Sequence, residues 1–117
     1  MRLVAFSIAT SLLLVACASQ PQRATPDDRA AFKEIENRHA ECLGQKSAEF
    51  MRGSDDVALL TKHVMSLCEP VLSELNQEII RRGFSPAYAR GYVTASREEA
   101  EQITRSGILK IKSGDAP

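Results

Sequence analysis

Between Ser54 and Gly83 the chain carries an apolar stripe that restricts it to the middle of a helical bundle. At 100° per residue, Val57, Leu60, Val64, Met65, Leu67, Cys68, Val71, Leu72, Leu75 and Ile79 fall within an arc of about 160°. One neighbouring helix cannot cover so wide an arc, so this segment is expected to be central. Its ends are punctuated. Ser54 stands as the cap with Asp55 and Asp56 in the first turn, and Arg81 and Arg82 close the last turn before Gly83. Pro70 removes one backbone hydrogen bond and is expected to kink the helix.

The segments on either side read the same way. Thr25 as cap, Pro26 at the first helical position, and Asp27 and Asp28 in the first turn open the first helix. Its inward face is predicted to hold Phe32, Ile35, His39, Cys42, Leu43 and Phe50, with Gly53 as the stop. The third helix opens at Ser85-Pro86 with a thinner face of Tyr88, Ala89, Tyr92, Val93, Ala100, Ile103 and Ile111. Ser106-Gly107 offers an early end, which would leave residues 108–112 as a short tail. Trp is absent, so the core must be built mainly from Leu, Ile, Val and Ala. The expectation is an all-α fold in one domain, residues 26–112, with residues 113–117 as a disordered tail.

The N-terminal residues carry a different signal. Met1-Arg2 is a short positive region, and residues 3–15 form an almost unbroken apolar run. A bilayer span needs about 20 such residues, so the run fits the core of a signal peptide. It ends in Leu14-Val15-Ala16-Cys17, which resembles the lipobox of bacterial lipoproteins. The resemblance implies that residues 1–16 are removed and that Cys17 becomes the acylated first residue. A thioether-linked diacylglycerol plus an N-acyl chain is a stable anchor, since each buried CH₂ contributes about 0.8 kcal/mol. In Gram-negative lipoproteins an Asp after the Cys tends to retain the protein at the inner membrane. Ala18 stands there instead, which implies the outer membrane, with the domain facing the periplasm. Residues 17–25 then form a tether, and its eight residues after Cys17 reach at most about 28 Å.

Without residues 1–16 the net charge is −1, which argues against a nucleic-acid partner, since that needs a clustered basic footprint. Export also bears on Cys42 and Cys68, because disulfides persist in oxidising compartments. Cys42 lies 11 residues before Gly53 and Cys68 lies 14 after Ser54. The mismatch is about 4.5 Å of helix axis, which a loop can absorb. A disulfide-linked helical hairpin plus a third helix is therefore expected, with a contribution of roughly 3 kcal/mol from the crosslink. The alternative is two reduced, buried thiols. His39 and His63 with the two cysteines suggest zinc, but their axial mismatch of about 7 Å opposes convergence on one ion. No metal or cofactor is expected. Neither a Gly-x-Ser-x-Gly elbow nor a Gly-rich phosphate loop is present, and Glu98, Glu99 and Glu101 beside Arg97 and Arg105 read as a solvated face. No enzyme is expected.

A binding surface is the remaining reading. Phe84, Tyr88 and Tyr92 could form an aromatic ridge beside Arg81, Arg82 and Arg90, in a C-terminal part of net charge +3 following residues 26–80 of net −5. Against that, Phe84 can pack under the turn, the tyrosines can fill the third helix face, and arginines suit a helix C-terminus. The build is similar to that of the pilotins, small helical lipoproteins that escort secretin subunits, although no pilotin motif is present. The expected function is a non-enzymatic, adaptor-like module holding an envelope protein. The alternatives are a self-associating structural lipoprotein, whose wide second-helix stripe is completed by another copy, and a small envelope inhibitor or enzyme.

Overall fold

The computed structural model describes residues 23–114. The leader, the lipobox with Cys17, and the last three residues lie outside them. Three helices make up the domain: α1 (Pro26–Phe50), α2 (Val57–Arg81) and α3 (Pro86–Lys112), with no strand among the described residues. Cross-contacts fix their directions. Arg38 pairs with Glu74 and Cys42 with Cys68, so α1 and α2 are antiparallel. Phe32 meets Tyr92, and Lys112 meets Met51, so α1 and α3 run parallel on either side of α2. The all-α, disulfide-linked three-helix bundle is what the sequence predicts.

The caps explain where each helix begins. The Asp28 amide donates to Thr25 Oγ1 at 3.1 Å while the Thr25 amide donates to Asp28 Oδ2 at 3.0 Å, a reciprocal capping box. The α2 cap differs from expectation. Asp56, not Ser54, is the N-cap: its Oδ1 accepts from the Leu59 amide at 3.1 Å, while Ser54 Oγ accepts from the Asp56 amide. Both are good capping types, and Asp56 is the one directly ahead of the buried run from Leu60. Ser85 caps α3 by accepting from the Tyr88 amide. Between α2 and α3 the chain reverses through a Schellman motif. The Phe84 amide donates to the Ile79 carbonyl and the Gly83 amide to that of Ile80, with Gly83 at φ +94°. A side chain at Gly83 would be strained, and Phe84 follows directly into the core beside Ile79.

α2 is central, as its stripe requires. Leu72, Leu75 and Ile79 pack with Phe32 and Ile35 of α1, with Ala89 and Val93 of α3, and with Phe84. Val64, Met65 and Cys68 pack with Leu43. The helix runs continuously past Pro70, which is exposed. Three details differ from the sequence reading. Leu67 is 40 % exposed, and Thr61 is buried in its place, its hydroxyl donating to the Val57 carbonyl. α3 does not end at Ser106-Gly107 but continues to Lys112, because Ile108 is fully packed and Lys112 Nζ donates to the Met51 carbonyl. Helical glycine costs about 1 kcal/mol, less than the burial of an isoleucine contributes. Finally, α3 buries Thr104 and Ile108, while Ile103 and Ile111 face outward. Ser113 and Gly114 close α3 as a C-terminal turn. Among the described residues no helix is long and apolar enough to cross a membrane.

Candidate functional site

Cys42 and Cys68 form the expected disulfide, with Cα atoms 5.9 Å apart and a sequence separation of 26. Cys68 is fully buried and Cys42 half-buried, against Leu43, Val64 and Met65. Both sulfurs are thereby committed to the crosslink. His63 is exposed and packs edge-on to Phe50 at 4.8 Å, while His39 is buried in the bundle. Among the described residues no group of three or more His, Cys, Asp or Glu side chains is placed to hold a metal ion.

The segment from Arg81 to Tyr92 is drawn together, but mainly inward. Phe84 is buried and stacks on Tyr88 at 4.6 Å. Phe32 of α1 meets Phe84 at 5.8 Å and Tyr92 at 5.3 Å, both edge-to-face. Phe32 is the ring that organises this end of the bundle. The arginines are engaged as well. Arg82 reaches Glu78, Asp27 and Asp28, and Arg81 reaches Glu78. Arg81 and then Arg82 hold the Glu78 carboxyl down at about 2. This network fastens the start of α1 to the end of α2. Of the six residues, Arg90 alone is exposed with no ion pair among the described residues.

A different feature is open to solvent. Two polar bridges join α1 and α3 beyond the ring cluster: Ser96 Oγ donates to Glu36 at 2.8 Å, and Lys112 donates to the Met51 carbonyl. Between these bridges lies a groove of about 440 Å³. Leu43, His39, Thr104 and Ile108 form its floor, and all four are buried. Ala40, Gly44 and Ala48 on α1 face Ala100 and Gly107 on α3 across it. Ile103, 65 % exposed, and Ile111, 52 % exposed, stand on the α3 lip. Large apolar side chains left in water beside a row of small ones make a surface suited to an apolar ridge. The sequence holds a trace of it. Ala40, Gly44 and Ala48 recur every fourth residue, which places them on one face of α1.

Two polar groups tune the groove. Glu36 accepts from Ser96, and burial, together with the nearby Glu36 carboxylate, pushes the Tyr92 phenol up to about 12. His39 is 3 % exposed, and its Nε2 has no hydrogen-bond partner. Burial lowers its pKa, so the neutral imidazole is favoured. No family model, no curated protein and no solved structure matches the chain.

Proposed function

We propose that this chain is an envelope lipoprotein, anchored through Cys17, whose helical domain is a non-enzymatic module that holds or assists a partner protein. The groove between α1 and α3 carries the reading: it leaves Ile103 and Ile111 in water above a buried floor. The anchor rests on the apolar run over residues 3–15 and on Leu14-Val15-Ala16-Cys17. The outer membrane is the assigned address because Ala18 follows Cys17. The segment from Arg81 to Tyr92 serves the fold in this reading, since its rings and two of its three arginines are engaged within the chain. Completion of the α2 stripe by a second copy is not needed, because α1 and α3 already cover it.

The test is photo-crosslinking in living cells. A photoreactive residue in place of Ile103 should give one dominant adduct with another envelope protein, and the same residue in place of Arg90 should not. Adducts of the lipoprotein with itself alone would favour a structural homo-oligomer and overturn the adaptor reading.

A further inference from the structure

Resting on that reading of the groove, we propose that its occupant is a single amphipathic helix of a partner protein, flanked by Lys or Arg, lying along α1 and α3 as a fourth helix of the bundle. Shape argues for one helix. From Glu36 to Met51 the groove follows α1 for about 22 Å, or about four helical turns. A two-fold contact between copies would set the same concave strip against itself and leave both floors unfilled. A convex helix, whose apolar side chains recur every three or four residues, fills such a strip.

The glycines argue for a close approach. Gly44 and Gly107 lie inside helices, where glycine is less stable than alanine. Yet a Cβ built at either position would meet nothing within 4 Å, so the packing of this chain does not require them. Gly91 is equally unobstructed but does not line the groove. What Gly44 and Gly107 provide is room for another backbone directly above the floor. That floor also holds His39, with its unpartnered Nε2.

Charge selects the flanks. Glu36 and Glu99 line the groove, and Glu41 is exposed one turn beyond Asn37 on its α1 side. Among the described residues none of these three is in an ion pair, whereas Glu69, Glu74, Glu78 and Glu101 all are. Lys33 is the one cation in the lining. Long basic side chains can lay their stems on Ile103 and reach these carboxylates with their charged ends.

The experiment titrates two synthetic 18-residue helical peptides into the mature chain carrying Cys17→Ser. They share a leucine face and differ only in lysine or glutamate flanks. The lysine peptide should bind at least tenfold more tightly, and the preference should shrink in high salt. Gly44→Ala with Gly107→Ala should raise the thermal midpoint and weaken the lysine peptide at least tenfold, a loss that unfolding cannot explain. Unchanged binding in that variant overturns the proposal. Equal binding of the two peptides, abolished by Ile103→Glu, also overturns it but leaves the groove reading intact. Failure of both peptides overturns the two together. A concentration-dependent dimer dissociated by Ile103→Glu replaces the helix with a second copy.

Discussion

His39 shows how a single buried residue couples the stability of the domain to pH. It is buried among α1, α2 and α3 near Glu36, Glu69 and Arg97, with Nε2 unpartnered. Burial is the main cause of its lowered pKa; Arg97 adds to the shift, while Glu69 and Glu36 oppose it. The unfolded imidazole takes up its proton near the ordinary value of 6.5, and the folded one only at lower pH. Acidification therefore protonates the unfolded chain first and draws the equilibrium toward it. The contribution is fully present above about pH 6.5 and is lost as pH falls from there toward the folded value. The urea midpoint should drop between about pH 7.5 and pH 5.5 in the native chain. His39→Leu should flatten that dependence; an equal drop in both proteins would remove His39 as its cause. Glu78, held at about 2, and the lowered Asp28 and Glu74 act in a separate window. They stabilise above about pH 4.5 and lose that effect as pH falls toward 2.

At the scale of elements, the hairpin of α1 and α2 depends on its crosslink. Cys42–Cys68 removes loop freedom from the unfolded chain, an effect of about 3 kcal/mol for a loop of this length. Reduction should lower stability by about that amount, and thiol titration should detect no Cys42 or Cys68 thiol before it. This hairpin was legible in the sequence because its evidence is local: caps, one wide stripe, and two cysteines whose small axial offset a loop can absorb. The α2 start was less legible because Ser54 and Asp56 are both capping residues, and only the position of the buried run decides between them. α3 was ambiguous for a different reason. It carries apolar residues on two faces, Val93 with Ile108 and Ile103 with Ile111, and amphipathic periodicity does not say which of two faces turns inward. The groove depends on that choice and on the spacing of two helices that are not consecutive, so it is a property of packing rather than of any one segment. The consequence is measurable. Ile108→Ala should cost about 2–4 kcal/mol, whereas Ile103→Glu should change stability by no more than about 0.5 kcal/mol. Comparable losses at both positions would mean that Ile103 belongs to the core and that the groove is not an open surface.

Across the whole molecule, the parallel course of α1 and α3 gives the domain a polarity. The chain enters α1 at Pro26, the end where Arg82 grips Asp27 and Asp28 and where the rings cluster around Phe32. The groove begins farther along, at Lys33, and runs toward the turn between α1 and α2, away from Pro26. With Cys17 in a membrane, the ion-paired aromatic end would lie near the surface and the groove would project from it. Anchoring and binding then occupy opposite ends and should separate cleanly. Cys17→Ser should move the protein from the membrane fraction to the soluble fraction, without altering the thermal midpoint or the affinity for the lysine-flanked peptide. Capture of the partner in cells should fall nonetheless, because release removes the effective concentration that a short tether provides. Retention of the Cys17→Ser chain in the membrane fraction would refute lipid anchoring. Loss of peptide affinity in that variant would refute the independence of the two ends.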